Sequence, residues 1–356
     1  MRIIQYIKNE RLILLMPYVD FTTFLKHTQE VHNLDNLKAI ATERQLKGYW
    51  GTAPTGRPHV AYLFPILAIS RMIKAGCNMT VMFADYHAAL DNNKTEWEAL
   101  HARTDYYMLI IKELLKLTGT DLAKIRFVKG TDFQRGNPAY LDDLLKLSTK
   151  VTTKMAQHAT ADVVKCNKDP LLSNIIYPLM QVLDEEHLET DFELGGLDQR
   201  KIFMFGVEHL HKIGYGRARS YVMTPMICSL AKPGQKMSCS DSKSKIDLLD
   251  SEEDIVKKCN GAFSTDGVVE NNGVLQMFKY IIFEFSSTVK VERPDQYGGD
   301  KTYSSYIELE DDFSRNLLSS IDLKVTLGRL LNVILKPLRE NILTNHSDIV
   351  ERAYLV

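Results

Sequence analysis

An α/β domain built on a parallel sheet, followed by a mostly α-helical domain, is the fold class that the sequence predicts, and three observations predict it. From about residue 47 to residue 228, short apolar runs alternate with amphipathic stretches of helical period, the pattern of strands and crossover helices in a sheet covered on both faces. From about residue 250 the alternation stops and helical blocks follow one another with few strand candidates. At 356 residues, with 45% apolar and 25% charged content, the chain has ordinary globular composition and the length for about two domains.

The elements follow in order. Residues 1–20 read as an N-terminal extension, whose LILLMPYV run falls far short of the ~20 apolar residues of a membrane span. Residues 21–47 have helical spacing and few breakers, which predicts one or two helices before the first strand. GYWGT is that strand, and HVAYLFPILAISRMIKAG is a helix closed by Gly76, with a bend expected at Pro65. TVMFADY reads as a strand, EWEALHARTDYYMLIIKELLKLTG as a long amphipathic helix, and IRFVKGTD as another strand. The segments LDDLLKLSTKVTTKMAQHA and PLLSNIIYPLMQVLDEEHL are helical; TDFELGG is a strand, DQRKIFMFGVEHLHKIG a helix, SYVMTPMI a strand, and AKPGQKMSCSDSKSK a flexible loop. SEEDIVKKCNGAF, GVLQMFKYIIFEF, YSSYIELEDDFSRNLL and LKVTLGRLLNVILKPLRENIL make the helical second domain, so the expected divisions are 1–20, 21–250 and 251–356.

Composition narrows the function. A net charge of −1 argues against indiscriminate coating of nucleic acid and leaves room for a local basic face that reads one particular RNA. Five scattered cysteines without a CxxC pair predict neither a disulfide framework nor a structural zinc site, and fit a reducing compartment such as the cytoplasm. No resident metal and no membrane attachment are expected.

Three stretches carry candidate chemistry. YWGTAPTGRPHVAYLF, residues 49–64, runs two aromatics into a Gly/Pro loop, sets His59 behind a proline and continues as a helix. It is either a plain strand-turn-helix corner or a loop and helix start that hold an anion. KMSCS at 236–240 is either a solvated loop or a mobile polyphosphate clamp offering Lys236, Ser238 and Ser240. Tyr177, Gln181 and Asp184 stand at i, i+4 and i+7, so one helix face carries a phenol, an amide and a carboxylate amid the apolar IIYPLMQVL. Such a triplet occurs at the solvent edge of ordinary amphipathic helices; set in an apolar face, polar groups want a partner, which a small polar ligand supplies.

Taken together, these stretches resemble the class I aminoacyl-tRNA synthetases, and within them the tyrosyl enzymes of archaeal and eukaryotic-cytosolic type. PTGRPHVAY stands where that family has its HIGH-type motif, KMSCS where it has KMSKS, and LDEEHLETDFELGGLDQRKIF matches its tyrosine and ribose region. FADYHAALDN, VKGTD, SKIDLLD, VENNGVL and YGGDKTY extend the resemblance from roughly residue 35 to the end. It implies a Rossmann-like catalytic domain with a helical dimerisation insertion at about 133–161, followed by a helical anticodon-binding domain. The implied reaction activates tyrosine with ATP and transfers the tyrosyl group to tRNA-Tyr, in a homodimer.

The resemblance also implies roles. Residues matching Tyr49 and Asp184 bond the substrate phenol, which argues against the tryptophan-specific relatives. Those matching Tyr177, Gln181 and Gln199 surround its ammonium group. Gly51, Gly195, Gly196 and Asp198 match the ATP side, the aspartate on the ribose. His59 matches the stabiliser of the α-phosphate, and Lys236 the lysine that offsets departing pyrophosphate. Arg200 and Lys201 match residues that meet the first acceptor-stem pair, and Tyr297 and Asp322 those that read the first anticodon base; a surface salt bridge, a core aromatic and a helix N-cap are the plain alternatives for these four. HVAY and KMSCS lack the family's second histidine and second lysine, so Mg2+, another cation, Lys243 or Lys245 is expected to supply that charge.

Overall fold

The computed structural model describes residues 3–7, 11–15, 18–164, 169–234, 237 and 245–354. Lys236, Ser238, Ser240 and Lys243 of the KMSCS loop lie outside the described residues. The chain divides into two compact units, one of Met1–Pro54, Ala68–Thr104 and Asp121–Pro225, the other of Thr55–Leu67, Asp105–Thr120 and Met226–Val356.

In the first unit, β1 (Ile3–Ile7) and β2 (Arg11–Leu15) form an antiparallel hairpin within the N-terminal extension. The main sheet contains, among the described residues, β3 (Glu30–His32), β4 (Lys47–Thr52), β5 (Asn78–Phe83), β6 (Ile125–Lys129), β7 (Phe192–Gly196) and β8 (Ser220–Thr224). Their order is β3-β8-β7-β4-β5-β6, with β3 antiparallel and the remaining neighbours parallel. Every residue of β8 and all but the first of β5 are buried, as parallel strands with both faces covered require. The chain runs outward from β4 through β5 to β6, then returns to lay β7 on the other side of β4. That reversal between β4 and β7 is where open α/β sheets bind their ligands.

Two expectations are corrected. Residues 21–47 hold the helices Phe21–Phe24 and Leu34–Ile40, but between them Glu30–His32 is an edge strand paired with Tyr221–Met223 of β8. Three residues are too short to display a strand period, and the pairing is a tertiary gain that local spacing does not encode. Pro65 is the third residue of the helix Leu63–Lys74, in its first turn, where a proline is best tolerated, rather than in its interior.

The ends of β5 and β6 are also shorter than the sequence suggests, and this matters for the site. Asp85 opens a helix, Asp85–Leu90, and Gly130 opens another, Gly130–Gln134. The Asp85 carboxylate joins them, accepting from the Thr131 N–H at 3.0 Å and its hydroxyl at 2.6 Å. A Cβ on Gly130 would stand 2.8 Å from the Asp85 and Gln134 side-chain oxygens, so a larger residue would have to displace the Asp85 carboxylate from Thr131 or the Gln134 amide.

In the second unit the opening loop is held by its own partners. His59 pairs with Asp247 in an antiparallel bridge, Val60 donates to Ile246 O at 2.9 Å, and the hydroxyls of Tyr107 and Tyr354 donate to Gly56 O at 2.5 and 3.1 Å. Helices Glu252–Asn260, Tyr306–Ser314 and Ser320–Asn345 dominate the rest, with a two-stranded hairpin of β9 (Val289–Val291) and β10 (Lys301–Tyr303) that sequence periodicity does not announce.

Candidate active site

The polar groups of the sheet's reversal point form two linked sets in the first unit. Tyr49 of β4 stands opposite Glu193 of β7 in the strand register, and both side chains are buried. The Gln181 amide nitrogen donates to Glu193 Oε1 and to Gln199 Oε1, both at 3.1 Å. With its N–H groups so used, Gln181 keeps its own carbonyl oxygen as an acceptor. Gln199 in turn leans on Asp198 Oδ2 at 3.5 Å.

The second set surrounds Asp184, which is fully buried on the helix Leu172–His187. Its Oδ1 accepts from the Gln134 amide at 2.7 Å and the Tyr140 hydroxyl at 2.8 Å, while its Oδ2 has no hydrogen-bond partner among the described residues. Burial pushes this carboxyl up to about 8, because two donors on one oxygen do not replace a full water shell. Burial likewise drives the Glu193 carboxyl far up, with the nearby Glu185 charge adding to it, and raises the Tyr49 and Tyr177 phenols. Burial is the largest cause at Asp184, Glu185 and Glu193 alike, and the Glu185 charge adds to the rise at Asp184 and Glu193.

The structure thus brings together Tyr49, Gln181, Gln199 and Asp198 in one set, and Tyr177 with Asp184 in the other through His87, whose ring meets Tyr177 edge-on at 4.7 Å. Glu193, Gln134, Tyr140 and His87 were not singled out by sequence reasoning. His87 and Gln134 follow FADY and GTDF, so both sit just past the carboxyl ends of β5 and β6, a positional signal that only the sheet order makes visible.

The glycines serve different needs. A Cβ on Gly195 would lie 2.6 Å from Phe203 Cζ and 3.1 Å from Gln199 Cγ, so its smallness is required by helix packing, whatever a ligand asks of it. A Cβ on Gly51 meets only the Tyr49 ring, at 3.5 Å, and Gly196 ends β7 immediately before Asp198.

In the second unit His59 is buried and caps the short turn Val60–Tyr62, its ring 5.5 Å from that of Tyr62. Lys245 donates to Arg57 O at 3.1 Å, which ties the chain after the KMSCS loop to the opening loop. Tyr297 is 66% exposed, so the core-aromatic alternative does not hold for it. Asp322 occupies a capping box: its carboxylate accepts from the Ser319 hydroxyl at 2.8 Å, and Ser319 Oγ accepts from the Asp322 N–H at 3.2 Å. In the first unit Arg200 pairs with Glu30 at 3.0 Å and Lys201 with Asp162 at 2.9 Å.

Comparison with known proteins fits this arrangement. The profile of the class I tRNA synthetases (W and Y) matches residues 41–336. The chain is 45% identical over 324 residues to the cytoplasmic tyrosine–tRNA ligase of Gallus gallus, covering 91% of this chain and 61% of that protein. It is 42% identical to the cytoplasmic tyrosine–tRNA ligase of Saccharomyces cerevisiae, covering 96% and 89%. The chain therefore spans about three fifths of the length of the vertebrate relatives it matches. The crystal structure of the Archaeoglobus fulgidus tyrosyl-tRNA synthetase, complexed with L-tyrosine, superposes with a TM-score of 0.83 at 33% identity, covering 91% of this chain and 100% of that one. With the strand reversal, the buried acid and the matched motifs on one chain, it belongs to the class I tRNA synthetases of the tryptophan and tyrosine group, on the tyrosyl branch.

Proposed function

We propose that the chain is a tyrosine–tRNA ligase. The observation that carries this reading is Asp184 Oδ2, a buried carboxylate oxygen with no donor, set on the helix that also bears Tyr177 and Gln181. A substrate phenol supplies the missing donor; phenylalanine leaves it missing, which is a penalty paid in full because the group is buried. The names of the relatives support the same reading.

In the reaction, the tyrosine carboxylate attacks the ATP α-phosphorus; a carboxyl–phosphate bond forms and pyrophosphate leaves. The terminal ribose hydroxyl of tRNA-Tyr then attacks the adenylate carbonyl, an ester forms and AMP leaves. Tyr49 and Asp184 hold the phenol, while Tyr177, the Gln181 carbonyl and Gln199 hold the ammonium. Asp198 takes the ribose, with Gly51 and Gly196 leaving room for the nucleotide. His59 and Lys236 are assigned to offsetting phosphate charge, and Ser238 and Ser240 to the same task from the KMSCS sequence. Mg2+ is assigned as the cation that would enter with ATP and help offset phosphate charge.

Arg200 and Lys201 are assigned to the acceptor stem, and Tyr297 and Asp322 to the anticodon. A homodimer through the 133–161 region is supported by Leu141 and Leu145, one helical turn apart and 56% and 57% exposed. Sedimentation of Leu141→Glu should show monomer where the parent shows dimer; equal mass in both would remove the assignment. A cytoplasmic location rests on the relatives' names, and no described helix is long and apolar enough to cross a membrane. Pyrophosphate exchange with tyrosine, tryptophan and phenylalanine tests the whole reading: exchange should depend on tyrosine. Exchange that prefers tryptophan, or none with any of the three, would overturn it.

A further inference from the structure

The roles above leave the FADYHAALDN segment without a task, and His87 within it. The imidazole is 2% exposed on the short helix Asp85–Leu90, between the Tyr177 ring and Asp184. Burial drives its pKa down to about 4, with a smaller upward pull from the Tyr177 backbone, so it is neutral. Neither ring nitrogen makes a well-formed hydrogen bond to a described residue. A neutral imidazole carries one N–H and one lone pair, so apart from a poorly aligned approach of the Tyr177 backbone its two nitrogens are buried without full satisfaction.

Asp184 Oδ2 is in the same condition, and it lies 3.8 Å from His87 Nε2. That gap is too long for a bond between the two. It suits one oxygen touching both, since two contacts of about 2.8 Å from a shared atom span it in a V of roughly 85°. We propose that His87 is a third reader of the substrate phenol, beside Tyr49 and Asp184, and that the phenol oxygen bridges His87 Nε2 and Asp184 Oδ2. The inference rests on the tyrosine reading and deepens it by adding a specificity-determining residue.

The donors and acceptors balance in either protonation arrangement. With the proton on Nε2, the phenol accepts from His87 and donates to the Asp184 carboxylate. With the proton on Nδ1 and Asp184 protonated, the carboxyl donates to the phenol, which donates to Nε2. In both, a single hydroxyl satisfies both orphaned atoms, and an amino acid without it strands both.

Two measurements test this. In a crystal structure with bound tyrosine, the phenol oxygen should lie within about 3.2 Å of both atoms; an oxygen beyond hydrogen-bond reach of Nε2 overturns the proposal. In pyrophosphate exchange, the ratio of kcat/KM for tyrosine over phenylalanine should fall roughly 3- to 10-fold in His87→Leu and largely recover in His87→Gln, which keeps a donor and an acceptor. A merely structural loss lowers both substrates and leaves the ratio where it was, and that result also overturns it. If the leucine variant does not fold, the glutamine variant and the crystal structure still decide. If the parent protein fails to activate tyrosine, the tyrosine reading and this proposal fall together; if it does and the ratio is unmoved, only this proposal falls.

Discussion

Asp184 shows what a single residue costs and returns. Its carboxyl sits at about 8 against an ordinary 3.8, with burial as the largest cause, so the folded protein binds a proton that the unfolded chain releases. The stability contributed is fully present below the ordinary value and is lost as pH rises through about 8. Asp184→Asn keeps the oxygen that accepts from Gln134 and Tyr140 and removes the titration. Its melting temperature should therefore gain on the parent between pH 5 and pH 9, while tyrosine activation drops about tenfold or more because an amide NH2 stands where Oδ2 would accept from the phenol. A melting difference that stays flat with pH would show that the carboxyl is not burdened in this way. Tyr177, Gln181 and Asp184 were legible because helical spacing puts them on one face. Gln134 and Tyr140, 50 and 44 positions away, were not, since a hydrogen bond across such a separation leaves no periodic trace. Glu193 was hidden differently, as one polar residue in a short apolar strand whose register against Tyr49 is set by sheet order.

At the scale of elements, the long helix Ser320–Asn345 joins a stability role to a proposed reading role. Its capping box uses Ser319 Oγ on the Asp322 N–H and the Asp322 carboxylate on the Ser319 N–H and hydroxyl. Ser319→Ala removes the cap and keeps the carboxylate, at about 0.5–2 kcal/mol. Asp322→Ala disturbs the cap and deletes the carboxylate. Both should lower the melting temperature, but only Asp322→Ala should blur discrimination at the first anticodon base in charging assays, and neither should reduce pyrophosphate exchange. If Ser319→Ala blurs the discrimination equally, the cap carries the effect and the carboxylate reads nothing. Long elements such as Leu100–Leu117 and Leu172–His187 were readable because several turns repeat the same apolar stripe. The short ones were not: β3 and β9 are held by partners that no local window contains.

For the whole molecule, alternation along the sequence gave the parallel sheet, but the placement of β7 beside β4 is a property of the crossover path and came only from the structure. The phosphate side was legible the other way round: the two signature loops stood out by motif, while Lys236 lies outside the described residues and its geometry stays with the sequence. A net charge of −1 argues against a general attraction for RNA, so under the proposed function tRNA choice must come from a few contacts. Arg200 and Lys201 are engaged with Glu30 and Asp162, but all four side chains are at least 36% exposed, and such surface pairs are worth about 0–1 kcal/mol. They exchange readily for a phosphate or a base edge. Under the proposed function, with Arg200 and Lys201 in DQRKIF just after the turn assigned to the ribose, the protein should charge tRNA-Tyr opening with a C-G pair and discriminate against one opening with G-C. Arg200→Ala and Lys201→Ala should each weaken charging and reduce the slope of log affinity against log salt by roughly one for a lost phosphate contact. Tyrosine-dependent pyrophosphate exchange without tRNA should stay at the parent rate in both, since the first half-reaction involves no RNA. Side-by-side charging of the two tRNAs at fixed salt decides the matter, and equal rates for C-G and G-C substrates would remove Arg200 and Lys201 from the readers of the acceptor stem.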